Sequence, residues 1–298
     1  MADRVQSFEK DVPRRPEVYR SAGAAMWKRF RRNRLALIGL VVVALLVLAA
    51  VFAPHLAPAD PARQVLEDKR MPPGARYWLG ADEFGRDIAS RLIYGSRVAL
   101  AVGLVSVLIA LLLGTVLGTT AGFVGGVADE VIMRGLDVLL AFPYLLLAIA
   151  IVSALGPGLQ NTILAVGIWA TPGFARVVRG SVLAIKEQEY VLAARAIGAG
   201  AARIVVRHIL PNCISVLVVY SALYMASAIL LEAALSFLGL GVQPPTPSWG
   251  LMVSTGRDFL TIAPHIATFP GLAIALAVLG FNLLGDGLRD ALDPKMTV

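Results

Sequence analysis

The nineteen residues from Leu35 to Ala53, LALIGLVVVALLVLAAVFA, contain no charged side chain and none that can form a hydrogen bond. As a helix this run is about 28 Å long, close to the thickness of a bilayer's hydrocarbon core. Comparable stretches lie at Ser96–Gly122, Val131–Leu155, Asn161–Leu183, Cys213–Leu240 and Ala267–Leu288, giving six expected crossings. Within lipid the backbone must satisfy its own hydrogen bonds, so each stretch is expected to be a helix. The alternation of a strand barrel is absent. The sequence therefore predicts an all-α, polytopic integral membrane protein with six transmembrane helices.

Composition supports that class. The chain is 57% hydrophobic and 16% charged, whereas soluble domains average about 25% charged residues. The net charge of +7 comes from basic residues beside apolar runs, a pattern set by headgroups and the positive-inside bias rather than by nucleic acid. The single cysteine, Cys213, excludes an internal disulfide framework, and the isolated His55, His208 and His265 suggest no metal site.

The expected organisation is a cytoplasmic arm over 1–34, a first crossing over 35–53, an extracytoplasmic loop over 54–95, a five-helix core over 96–290 and a tail over 291–298. WKRFRRNR (Trp27–Arg34) precedes the first crossing and Pro54 stops it. A basic patch and an apolar run also describe a signal peptide, but this run starts late and exceeds the usual 7–15 residues, so an uncleaved helix is expected. With the N-terminus inside, nineteen Lys and Arg fall on the cytoplasmic side and eight outside. This favours both termini inside, although seven of the eight outer ones cluster within 54–97.

Between the fourth and fifth apolar runs, residues 184–212 form a polar loop containing EYVLAARAIGAGAARIVVRHILP (Glu189–Pro211). Glu187 to Ile197 is rich in helix formers. Gly198 and Gly200 then permit a sharp turn, and Ala201–Ile209 reads as a second short helix with Arg203 and Arg207 on one face. Pro211 suits the first turn of the next helix. The spacing predicts a helix–turn–helix elbow under the membrane, joined rigidly to the next crossing.

Ala193–Ala194, Gly198 and the closing Leu210–Pro211 resemble the EAA loop of ABC-importer permeases. The triplet's acidic position is Leu192 here, and His208 takes an apolar position before Leu-Pro; Glu189 lies nearby as another carboxylate. WKRFRRNRLALIGL, LGADEFGRDIASRLIYGSR (Leu79–Arg97), EAALSFLGLGVQPPTPSWG (Glu232–Gly250) and NLLGDGLRDALDP (Asn282–Pro294) resemble the C-type permease subunits of dipeptide, oligopeptide and nickel importers. The resemblance covers most of 27–294. It implies a type I ABC-importer permease fold in the cytoplasmic (inner) membrane of a prokaryote, with a second permease subunit, two ABC ATPase subunits and an extracytoplasmic solute-binding protein. It also implies that the elbow docks on an ATPase, with Glu189, Ala193, Ala194, Arg195, Gly198, Arg203, Arg207, His208, Leu210 and Pro211 in the coupling loop. ATP and Mg would then be bound by the partners, with no cofactor in this chain. The expected function is ATP-driven import of peptides or a related small solute.

Other candidates keep two readings. Glu232, Asn161 and Asn282 either line the pathway or reach water, a headgroup or a partner. Asp286, at the expected cytoplasmic end, is read as solvated there. Asp82, Glu83, Arg86 and Asp87 are candidate contacts for the binding protein, but their spacing also suits a charged lead-in to the second crossing, which is favoured. Trp249, after a proline-rich turn, reads as an interfacial aromatic, with peptide contact as the alternative. No GxxxxGK[ST] phosphate cradle occurs in the sequence. The rival function is an ion-gradient-driven secondary transporter. Such a protein needs mid-span acids, for which only Glu232 and Asp137 qualify.

Overall fold

The structure is a computed structural model that describes residues 26, 27 and 29–292. Most of the expected arm and tail therefore lies outside the described residues. Among those residues there is no strand, only one isolated bridge between Ala81 and Asp87.

Helix α1 (Arg34–Val51) starts at Asn33, whose side-chain oxygen accepts from the amides of Leu35 and Ala36 at 3.1 Å. Asn33 also donates to Asp290 near the other terminus at 3.1 Å. An extended loop leads to α2 (Ile88–Val124), capped by the Asp87 carboxylate on the Ser90 amide at 2.7 Å. Then come α3 (Gly126–Leu140), α4 (Tyr144–Leu155) and α5 (Leu159–Ile185). The elbow holds α6 (Glu189–Ala196) and α7 (Ala201–Ile204). From α7 the helix continues through a π-helical turn, Val205–Ile209, into α8 (Leu210–Phe237). After a loop come α9 (Trp249–Gly256) and α10 (His265–Leu292).

Among the described residues, four helices are long and apolar enough to cross a bilayer: α1, α2, the continuous Ala201–Phe237 and α10. The expected crossing Val131–Leu155 is broken, with α3 and α4 meeting at 90° and together making a fifth candidate. Pro143 explains the break, because it lacks an N–H and pushes Phe142 out of the α region. Hydropathy over that window is high on both sides of the proline, which hides the bend. The sixth expected crossing is α5, long enough at 27 residues but less apolar, with Arg176 and Arg179 in its second half. Its position supplies the reason. It packs against α2, α4 and α8, burying Val166, Ala170, Phe174, Ala175, Val178 and Val182, so protein rather than lipid surrounds much of it.

The α2–α5 packing depends on glycine. A Cβ on Gly114 would stand 2.4 Å from the Phe174 Cβ, and one on Gly118 would stand 2.3 Å from the Ala175 carbonyl oxygen. With Gly122 these positions form a GxxxGxxxG series whose bare backbone admits the neighbouring helix. Alternating directions along the chain place the elbow and both described termini at one end of the bundle. The loops over 52–87 and 238–264 lie at the other end.

Candidate functional site

The elbow is held by a helix-ending hydrogen-bond pattern that requires glycine. The Gly198 amide donates to the Arg195 carbonyl and the Ala199 amide to the Ala194 carbonyl, each at 3.0 Å. Gly198 has φ of +84°. This is the paired closure that places a left-handed residue just after a helix, where a Cβ is penalised. Val191 packs inward on Ile204, Ile209, Cys213, Val178 and Val182, and Ala194 is buried as well. Ala193 faces outward.

The outer surface mixes charge with uncovered apolar side chains. Arg195, Arg203 and Arg207 are exposed, as are Glu189 and Pro211, while His208 and Leu210 are half-buried. Among them stand Leu192, Val206 and Ile197, the last 86% exposed. Exposed apolar side chains beside arginines are a composition common at protein-binding surfaces. The sequence reading gave Ile197 and Val206 no role and took Leu192 only as a departure from the triplet, because apolar residues in a helical loop look like internal packing. The Asn212 amide joins α6 to α8, donating to the His208 carbonyl at 2.6 Å and the Tyr190 hydroxyl at 3.3 Å. Ala201–Ile209 is not a separate short helix. The π-helical turn carries it into α8, and the wider turn just before Pro211 accommodates the missing donor.

At the opposite end, Asp82, Glu83, Arg86 and Asp87 come together facing into the chain. The Asp82 carboxylate accepts from the amides of Phe84 and Arg86 at 2.9 Å and from Arg86 Nε at 2.6 Å. Arg91 Nε lies 3.4 Å from it, and Arg86 Nη2 donates to Glu83 at 3.0 Å. Burial first, then the adjacent Asp82, pushes the Glu83 carboxyl up from its ordinary value. Trp249 is buried too, its indole donating to the Leu92 carbonyl at 3.0 Å. These residues bind the outer loops to the start of α2; nearby, Trp78 and Phe84 remain exposed.

The interior candidates are separated. Glu232 is buried and accepts from the Ser236 hydroxyl at 2.7 Å. The Asn161 amide closes the α4–α5 turn, donating to the carbonyls of Leu155 and Gly156 at 3.0 and 2.9 Å. Asn282 and Asp286 are exposed on α10. Asp137 pairs with Arg176 at 2.6 Å, and Asp129 takes Arg179 through two bonds of 2.6 and 2.7 Å.

A helical membrane bundle with a polar, arginine-bearing elbow at one end has the form of a transporter's membrane subunit. Residues 114–298 match the family described as binding-protein-dependent transport system inner membrane component. Residues 21–73 match the N-terminal TM domain of oligopeptide transport permease C. The glutathione transport system permease protein GsiD of Shigella flexneri serotype 5b (strain 8401) is 49% identical over 283 residues, covering 95% of this chain and 93% of the relative. The protein of that name from Escherichia coli O157:H7 is 48% identical over the same coverage. In fold, the chain is similar to inward-facing MetNI methionine ABC transporter structures, with a TM-score of 0.56 and 20% identity. That match covers 68% of this chain and 96% of the other. The chain belongs to the binding-protein-dependent inner-membrane permeases of ABC importers.

Proposed function

We propose that this chain imports small peptides, with glutathione as the first substrate to test, and that its elbow couples transport to ATP hydrolysis in partner subunits. The observation that carries the reading is the exposed Ile197, Leu192 and Val206 among three arginines, on a turn fixed by Gly198 and continuous with α8. A force on that face reaches the bundle through an unbroken helix, because packed helices move as bodies. The proposed assembly adds a second permease, two ATPases that bind ATP and Mg, and an external solute-binding protein. The elbow end, with both described termini, is assigned to the cytoplasm. Closure of the ATPases would draw the two elbows together and open the path outward.

The identity to GsiD over nearly the whole chain supports a glutathione-type substrate. The two acids that an ion relay would need are already engaged, Asp137 with Arg176 and Glu232 with Ser236. The deciding measurement is uptake of radiolabelled glutathione and a dipeptide by vesicles containing the assembled importer. Uptake is expected only with ATP, the ATPases and the binding protein. Uptake that persists without the ATPases would establish the gradient-driven alternative instead.

A further inference from the structure

We infer that the face of α8 bearing Tyr220, Tyr224 and Ser227, with Trp169 and Tyr144, is the wet wall of the solute path, and that the two tyrosine hydroxyls seat a peptide's backbone amides. The inference rests on the importer reading above and adds the location and chemistry of the path.

Tyr224 lies midway along α8, and Trp169 and Gly173 lie near the middle of α5, so this cluster occupies the depth where lipid offers no hydrogen bonds. The Tyr220 hydroxyl donates to that of Tyr224 at 3.4 Å. Both lean over bare backbone, since a Cβ on Gly173 would stand 2.3 Å from the Tyr224 oxygen and 2.8 Å from the Tyr220 oxygen. The rings continue from Tyr224 to Trp169 at 5.5 Å and from Trp169 to Tyr144 at 5.6 Å.

Two grooves open along this part of α8, the first lined by Tyr220 and the second by Ser227, three residues beyond Tyr224. One, of about 500 Å3, runs between α8 and α10 towards Arg289 at the elbow end and is lined by Val216, Tyr220 and Leu223. The other, of about 200 Å3, lies between Tyr144, Trp169, Ser227 and Leu231. The larger falls within the ~300–1,000 Å3 of small-molecule sites. After their mutual bond the hydroxyls keep one hydrogen to donate and three lone pairs to accept. Acyl chains offer them no partner, whereas the N–H and C=O groups of a small peptide do. Elsewhere the bundle shows long apolar stretches. On α2 these include Leu104, Leu108, Leu112 and Val116, and on α10 Leu272, Leu276 and Leu279. Those are sides for lipid. The tyrosine pair thus lies along α8 between the groove at Tyr220 and the groove at Ser227, with aromatic walls for side chains and hydroxyl tips for the backbone.

The test uses the assembled importer in native membrane vesicles, in a Cys213→Ala background. Tyr224→Cys and Ser227→Cys are compared with Leu112→Cys and Leu276→Cys for reaction with a charged methanethiosulfonate, which modifies thiols in water. Labelling at least tenfold faster at Tyr224 and Ser227 is expected; rates equal to the leucine controls would show a dry face and overturn the inference. Should Tyr224→Cys fail to assemble, Ser227→Cys alone decides. In a second arm, the Tyr220→Phe, Tyr224→Phe double variant is expected to raise the KM for glutathione at least threefold while ATPase co-purification stays unchanged. An unchanged KM would overturn the peptide seat. If wild-type vesicles take up no glutathione or dipeptide with ATP, the substrate reading fails, and the labelling contrast still decides whether this face is wet.

Discussion

Asp82 accepts from two amides and from the Arg86 guanidinium, with Arg91 close by, while only 3% of it is exposed. Removing one member of a buried ion network leaves the others charged and unpaired, which costs about 3 kcal/mol or more. Asp82→Ala is therefore expected to lower the thermal midpoint of the purified chain and expose residues 54–87 to protease. A midpoint equal to wild type would mean the network holds nothing together. Glu83 supplies a pH-dependent counterpart. Its folded value is raised above the ordinary 4.5, first by burial and then by Asp82. It thus binds its proton more tightly in the folded loop, favours folding below pH 4.5, and loses that contribution as pH climbs through the raised value. Glu83→Gln stays neutral and should flatten the loop's protease resistance between about pH 4 and pH 8; an unchanged slope would remove Glu83 as its source. The charges were visible in the sequence and their inward direction was not, because the spacing of Asp82, Glu83, Arg86 and Asp87 suits an exposed lead-in helix equally well.

Helix pairing depends on glycines whose meaning shows only in contact. Leucine at Gly118 would drive a side chain into the Ala175 backbone, where the Cβ alone would be 2.3 Å from an oxygen. Overpacking of this kind costs about 1–3 kcal/mol. Gly118→Leu should part α2 from α5, read as lost co-purification with the partner permease and a lower melting temperature, whereas Val116→Leu, on the exposed side, should change neither. The series Gly114, Gly118, Gly122 was available in the sequence as a helix-packing signal and went unread, because glycine within an apolar run lowers no hydropathy average. The elbow was legible for the opposite reason. Its helix formers, two glycines and Leu-Pro interrupt an apolar background, and Gly198 occupies the left-handed position that such a turn requires. Beyond Gly198 and its two chain neighbours, no atom lies within 4 Å of where a Gly198 Cβ would be, so backbone strain and an incoming partner can be separated. Asparagine tolerates that conformation far better than leucine does. Gly198→Asn should keep most ATP-coupled uptake, and Gly198→Leu should lose it while the chain still inserts. Equal loss in both variants would point to a partner surface pressed against this position.

At the scale of the whole molecule, the reading depends on which end faces the cytoplasm. The chain supplies two well-exposed reporters at opposite ends, Ile197 on the elbow at 86% exposure and Trp78 in the 52–87 loop at 69%. The distribution of lysine and arginine favours the elbow inside, despite the seven basic residues at the other end. Three of those seven form ion pairs in the fold, Arg86 and Arg91 with Asp82 and Arg76 with Asp68, but the rule counts basic residues rather than net charge, so they still weigh on the other side. A membrane-impermeant maleimide distinguishes the orientations, since Cys213 is fully buried and Cys213→Ala gives a silent background. Trp78→Cys should label in intact cells. Ile197→Cys should label only in inverted vesicles, and co-expressed ATPase should slow its labelling at least fivefold. The two parts fail separately. Labelling of Ile197→Cys in intact cells would place the elbow beyond the reach of any cytoplasmic ATPase and end the coupling reading. Labelling from inside with no protection would keep the orientation and move the docking face away from Ile197. Protection from the inside would connect a left-handed glycine, the side chains it displays and a continuous helix to the force that opens the path.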